Sequence, residues 1–231
     1  MPGGYMGEVA FVDLSAGTVQ VESLPESICR DFIGGYGIGV RTLFERQAGQ
    51  VDPLGPENIL GLAAGPLTGT KAPTGGRYMV CCKSPLTGGW GDANSGGQCG
   101  SELKAAGFDA VFVSGKAARP QLLWVTDGRI EIRDATHLWG LDTIEAEAAI
   151  QKELNDPKIR VAGIGPASER LSLISGIVND RGRIAARSGV GAVMGSKNLK
   201  AVAVRGRTKV PVADAAELGR LAKDFARQIR D

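Results

Sequence analysis

The sequence predicts an α+β fold: an internally duplicated domain of two similar halves, with mixed or antiparallel sheets and a few helices. Three observations carry this. Short β-rich runs bounded by Gly, Pro and Thr alternate irregularly with helical patterns. The chain holds 34 glycines in 231 residues, roughly twice the ~7% of an average protein. Similar strings also recur near Gly100 and Gly195.

The N-terminus reads as a hairpin, with β-rich runs at 8–14 and 18–21 around the turn Ser15-Ala16-Gly17. A helical pattern from Pro25 carries Ile28, Phe32 and Ile33 into the run GGYGIG at 34–39, after which Val40, Leu43 and Phe44 resume helical spacing. Residues 58–64 and 77–83 are apolar runs suited to buried strands, and the first glycine-rich loop lies between them. Next come a helix over 101–106, a compact strand over 110–114, and a hairpin of 121–125 with 129–133 about Asp127-Gly128. Asp142 opens a helix with Glu145 in capping-box register, running to about Leu154. Strands are expected at 160–164 and 171–178, ahead of a second glycine-rich stretch at 181–195.

The repeat rests on GSELKA at 100–105, followed by AVFVSGK, against GSKNLKA at 195–201, followed by VAVRGR. Upstream of each, an apolar strand ends in a Gly-Pro turn, at Gly65-Pro66 and Gly165-Pro166. Two degenerate copies, 33–116 and 139–207, would give pseudo-two-fold symmetry and place two equivalent loops around one central object. Beyond 210, Asp214 and Glu217 form a second capping-box pattern, and Leu218, Leu221, Phe225 and Ile229 share a helical face that needs a partner. Residues 211–231 therefore read as a linker and the start of a helix leading into a further, missing domain.

Composition narrows the function classes. At 43% apolar and 23% charged the chain is an ordinary globular sequence, with no apolar run approaching a membrane span and no signal-peptide pattern. The expectation is a cytoplasmic protein without membrane contact. A formal charge of +2 argues against general nucleic-acid binding but leaves room for a local cationic pocket. The four cysteines, Cys29, Cys81, Cys82 and Cys99, contain no C-x-x-C pair, and Cys81 and Cys82 on one strand should face opposite ways. Buried free thiols are expected, with Cys99 alone lying inside a glycine-rich segment.

The densest chemistry lies at 65–100, GPLTGTKAPTGGRYMVCCKSPLTGGWGDANSGGQCG. Glycine-rich turns present backbone N–H groups to anions, and arginine adds a permanently charged fork that suits phosphate. Arg77 sits in the first rich segment, and Arg183 and Arg187 in the second. Either loop alone reads first as a tight turn with solvated arginines, but two such loops at corresponding repeat positions point to binding. No P-loop is present, and GYGIG neither follows a strand nor matches the dinucleotide-binding spacing. The single histidine, His137, is flanked by Leu138 and Trp139 and reads as packed or turn-stabilising, which leaves nucleophilic catalysis without a base. In WGDANSGG, Asp92, Asn94 and the backbone carbonyls could meet a hard cation or a phosphate, although Asn in a turn is usually structural.

The segments AAGPLTGTKAPTGGRY, KSPLTG, ANSGG and GVGAVMGSKNLKA together resemble the N-terminal domain of the aldehyde ferredoxin oxidoreductase family across nearly the whole chain. The resemblance implies a tungsten or molybdenum bis-pyranopterin cofactor, aldehyde oxidation to carboxylic acids, and electron transfer through a [4Fe–4S] cluster to ferredoxin or another carrier. It implies that residues 1–210 form a base on which two pterins lie, with chemistry coming from the metal and no catalytic residue in this chain. Arg77 would contact a pterin phosphate, with Asn94 and Gly96 lining the first pterin. Arg183, Ile184, Ala186 and Arg187 would do the same for the second. Backbone carbonyls of Asn94 and Ile184 would hold a Mg2+ bridging the phosphates. Ile184 and Ala186 depart from the alanine and glycine common at those places. The cluster and substrate domains would lie in downstream domains or a split-gene subunit, so that the chain alone lacks the machinery for turnover. The rival reading is a non-catalytic pterin-binding module that scaffolds or delivers the cofactor; an unrelated phosphate-ligand module is a third.

Overall fold

The structure is a computed structural model that describes residues 2–230. Its first half begins with the hairpin β1 (Glu8–Asp13) and β2 (Thr18–Ser23), followed by α1 (Glu26–Phe32) and α2 (Tyr36–Arg46). Then come β3 (Leu60–Ala64), β4 (Tyr78–Lys83), β5 (Trp90–Ser95), α3 (Cys99–Ala105) and β6 (Ala110–Ser114). Together they make a mixed six-stranded sheet of order β2-β1-β6-β3-β4-β5, in which only the β1–β6 pair is parallel. Buried on both faces, β3 and β6 are continuous apolar runs, whereas β2, at the sheet edge, has no fully buried residue.

The second half repeats this plan. It comprises β7 (Gln121–Thr126), β8 (Arg129–Asp134), α4 (Thr143–Glu153), β9 (Arg160–Gly163), α5 (Pro166–Glu169), β10 (Ile177–Asn179), β11 (Arg183–Ala185), α6 (Val190–Ser196) and β12 (Leu199–Arg205). Its sheet order is β11-β10-β9-β12-β7-β8, again with one parallel pair, β7–β12. Read from the hairpin end the two orders are identical, each hairpin included, so the topological unit adds a hairpin ahead of each string-based repeat.

Strand register gives the equivalences residue by residue. Val9 pairs with Ala110, which pairs with Ala63, then Met79, then Asn94; Leu122 pairs with Ala201, then Gly163, Val178 and Ile184. The Gly65-Pro66 and Gly165-Pro166 turns are in register, and the residues two beyond them play one part. Thr68 Oγ1 donates to the Arg77 carbonyl at 2.9 Å, and Ser168 Oγ to the Gly176 carbonyl at 3.3 Å. The strings GSELKA and GSKNLKA are not in register: Gly100 is the second residue of α3, whereas Gly195 is the sixth of α6. Gly191, second in α6, is the true mate of Gly100. A Cβ on Gly191 would lie 2.6 Å from Ser168 Oγ, and one on Gly100 would lie 3.3 Å from Thr68 Cγ2.

The halves share one core, in which residues of both sheets pack with α3 and α6 between them. α1 and α2 cover the outer face of the first sheet and α4 that of the second, each over its own smaller core. Adjacent Cys81 and Cys82 face opposite cores, as strand alternation requires. All four cysteines are buried and none forms a disulfide among the described residues, and burial pushes the Cys82 thiol up to about 12 and that of Cys99 still higher. None is a reactive thiolate.

Three expectations need correction. The strand expected at 171–178 is confined to Ile177–Asn179; residues 171–176 turn, with Leu171 at φ 60°. Residues 90–95 and 183–185, read as parts of glycine-rich loops, are the edge strands β5 and β11. His137 is exposed rather than packed, in a single helical turn, with Nε2 3.1 Å from Glu153 Oε2.

Asp142 caps α4 as its sequence predicts, accepting from Ile144 N and Glu145 N at 2.8 Å while Glu145 reaches back to Asp142 N. Asp142→Ala should lower stability by about 1 kcal/mol, read from the urea midpoint. Lys197 is fully buried, its Nζ donating to the carbonyls of Pro56 and Gly115 at 3.2 Å, and burial pushes its ammonium down to about 8. An unfolded chain keeps that proton to lysine's ordinary 10.5. Between the two values the unfolded state therefore binds more protons, and the residue's contribution to stability rises with pH. In Lys197→Met this rise should vanish, seen as a flatter dependence of unfolding free energy over that window than in wild type.

α7 (Ala215–Arg230) follows an extended segment that returns to the first half, where Gly4 N donates to Pro211 O and Thr208 N to Ala105 O. Asp214 caps it, accepting from Ala216 N and Glu217 N. Leu218 is half-buried, while Leu221, Phe225 and Ile229 stand exposed on one face. Among the described residues no helix is long and apolar enough to cross a membrane.

Candidate functional site

The two sheets meet at their edges, where β5 and β11 approach each other. A cleft of about 530 Å³ opens between them, lined by Asp92, Ala93 and Asn94 from the first half and Ile184, Ala186, Arg187 and Ser188 from the second. An edge strand leaves alternate backbone groups without ladder partners, and along an antiparallel strand successive carbonyls point to opposite sides. The Asp92 carbonyl accepts from Ser188 Oγ and the Gly96 carbonyl from Asn179 Nδ2, both in the second half. Asn94 lies midway between them on β5, so strand alternation puts its carbonyl on the same side. Ile184, the register mate of Asn94, holds the corresponding place on β11.

Arg77 precedes β4, and its guanidinium donates to Asn94 Oδ1; Asn94 Nδ2 in turn donates to the Tyr36 hydroxyl at 2.9 Å. Arg77, Arg183 and Arg187 are all exposed. Among the described residues none of the three forms an ion pair with a carboxylate, although many of the other arginines do. Three uncompensated, permanently charged forks beside one cleft are a ready anion site. They are not related by the pseudo-two-fold axis: the register mate of Arg77 is Gly176, and that of Arg183 is Ala93. The expectation of two arginine-bearing loops at corresponding repeat positions is therefore corrected: Arg77 lies in the β3–β4 connection, whereas Arg183 and Arg187 follow β10, the mate of β4.

Gly96 lies under Arg183, where a Cβ would come within 3.3 Å of Nη1. At Gly97, φ is +91° and a Cβ would collide with Asp180 Oδ2 at 1.9 Å, so this crossing point tolerates no side chain. The residues the sequence assigned to the cofactor site thus lie at or beside the cleft: Asn94, Ile184, Ala186 and Arg187 line it, Arg77 bonds Asn94, and Gly96 lies beneath the Arg183 side chain. Sequence reading missed Tyr36, Asn179, Asp180 and Ser188. Asn and Asp flanking a Gly-containing turn were the only signals for two of these, and nothing marked Tyr36 or Ser188.

Three comparisons bear on this geometry. Residues 9–206 match the aldehyde ferredoxin oxidoreductase N-terminal domain family. A tungsten-containing aldehyde ferredoxin oxidoreductase of Pyrococcus furiosus is 49% identical over 99% of this chain, which spans 38% of that protein. A WOR-like subunit of an aliphatic sulfonate oxidoreductase from the same organism is 34% identical over 97% of the chain, again 38% of its own length. Among solved structures, a chain from the active-site complex BamBC of benzoyl coenzyme A reductase, bound to 1,5-dienoyl-CoA, superposes with a TM-score of 0.96. It is 37% identical, and the match covers all of this chain and 35% of that one. Its duplicated sheets, edge-strand cleft and these matches agree: the chain belongs to the aldehyde ferredoxin oxidoreductase family and carries its N-terminal domain.

Proposed function

We propose that this chain is the cofactor-binding base of a tungsten (or molybdenum) bis-pyranopterin oxidoreductase of the cytoplasm. With further domains or a partner subunit it oxidises aldehydes to carboxylic acids and passes electrons through a [4Fe–4S] cluster to ferredoxin. The observation that carries this reading is the register equivalence of Asn94 and Ile184, which lines one cleft with two matching edge-strand positions beside three unpaired arginines. The donor set fits a ligand with two phosphate arms. Arg77 serves one phosphate while Asn94 and Gly96 line that half; Arg183, Ile184, Ala186 and Arg187 serve the other. The carbonyls of Asn94 and Ile184 are hard oxygen donors of the kind Mg2+ takes alongside phosphates.

When bound, the metal supplies the two-electron redox chemistry. The chain's own residues bind and orient. Guanidinium groups neutralise phosphate charge, and Gly96 and Ala186 keep the cleft walls low. The carbonyls of Asp92 and Gly96, already engaged by Ser188 and Asn179, hold the two strands at fixed spacing.

Metal analysis and pterin fluorescence of the complete protein, purified with whatever further domains or subunit complete it, test this reading. Tungsten or molybdenum together with pterin, and aldehyde-dependent ferredoxin reduction, are expected. A non-catalytic pterin-binding module would retain cofactor and oxidise no aldehyde; absence of metal and pterin from an assembled sample would sink both readings.

A further inference from the structure

Asn179 is 1% exposed and uses all four hydrogen-bonding capacities of its amide. Its Oδ1 accepts from Ser95 Oγ at 2.7 Å and from the Tyr78 hydroxyl at 3.2 Å. Its Nδ2 donates to the Gly96 carbonyl and to Asp180 Oδ2, both at 2.9 Å. Asp180 Oδ2 accepts in addition from Gln98 N at 2.7 Å. All these contacts except the one between Asn179 and Asp180 join the second half to the first, at the end of β5 where Gly96 passes under Arg183.

The register mate of Asn179 is Val80, fully buried and apolar. The duplication thus carries a polar residue, with all its bonds made, at one of two equivalent core positions and an apolar one at the other. A buried amide costs free energy unless all its bonds are made, and Val80 fills the equivalent site without it. Packing alone does not require Asn179.

We infer that Asn179 is a positioning residue for the cleft: its Nδ2 ties the Gly96 end of β5 to the turn after β10, and so sets the separation of the two half-sites. This rests on the proposed cofactor-binding reading. The two sides of the amide make the role separable from simple stabilisation. The Oδ1 partners, Tyr78 and Ser95, lie within the core, and burial raises the Tyr78 phenol well above its ordinary range, so it stays a donor across the working pH range. Only the Nδ2 side touches a backbone group that flanks the cleft.

The test uses the complete, cofactor-bearing protein. Asn179→Ser and Asn179→Asp remove the bond to Gly96 O; Tyr78→Phe removes only an Oδ1 partner. The readouts are the rate of tungsten (or molybdenum) release into a chelator and the thermal midpoint of each variant. Both Asn179 variants should release metal at least tenfold faster than wild type, while Tyr78→Phe lowers the midpoint and keeps the wild-type release rate. A wild-type release rate in either folded Asn179 variant overturns the inference, as does a rate that simply tracks the thermal midpoint across all three. Wild-type protein with neither metal nor pterin overturns both this inference and the function on which it rests.

Discussion

Replacing Arg77 and Arg183 together by alanine in the complete protein should reduce cofactor retention by about 10²- to 10⁴-fold, the largest functional effect expected of any pair in this chain. A hydrogen bond to a charged group contributes about 1.5–3 kcal/mol. Two such contacts therefore account for about 3–6 kcal/mol, at 1.4 kcal/mol per factor of ten. Neither arginine has a carboxylate partner among the described residues, so removing them strands no buried charge and the fold should survive. Arg129, exposed at the start of β8 and far from the cleft in the sheet order, supplies the control. Arg129→Ala should leave tungsten and pterin content unchanged. Because the arginines are not symmetry mates, the single variants should differ from each other. Full cofactor content in the folded double variant would remove the phosphate contacts assigned to both residues.

Glu169→Ala should cost about 3–5 kcal/mol of stability, a large share of the roughly 5–15 kcal/mol that holds a typical domain together. Glu169 lies at the end of α5 with its side chain 5% exposed; its Oε1 sits 2.6 Å from Nζ of the fully buried Lys200 on β12. Nζ also donates to the Leu141 carbonyl at 2.8 Å, and the carboxylate accepts from Gly140 N. Removing the carboxylate leaves an ammonium stranded in the core. The double change Glu169→Leu with Lys200→Met should recover most of the loss, since a buried pair replaced by apolar residues of similar size is often neutral. Urea unfolding of the two variants against wild type reads the difference directly. A single variant within 1 kcal/mol of wild type would show that water reaches Lys200.

Much of the secondary structure was legible because it is written locally. The Asp127-Gly128 turn between two β-rich runs and the Asp142/Glu145 capping box each need only a few residues, and both stand as read. The strands β5 and β11 were not legible. WGDANS and RIA lack the β-branched alternation that marks a half-buried strand; they become strands by pairing at an edge with β4 and β10. The repeat was found for a partly mistaken reason. The Gly-Pro turns are equivalent, but GSELKA and GSKNLKA match as strings while sitting at opposite ends of their helices.

For the site, residue types and the family resemblance brought forward Arg77, Asn94, Gly96, Arg183, Ile184, Ala186 and Arg187, and all fall at one cleft. The residues that hold the cleft in shape, Asn179 and Ser188 above all, were invisible because their importance lies in partners some 83 to 96 positions away.

By itself the sequence determined the fold class and the presence of a duplication, which follow from local propensity and periodicity, and it brought the candidate site residues forward through residue chemistry and the family resemblance. Only the tertiary structure decided that Asn94 and Ile184 are mates, that the arginines are not, and that Asn179 rather than a second valine bridges the halves. Which way a carbonyl points, and which residue lies opposite which, depend on strand register, and register is set by pairing across the whole chain.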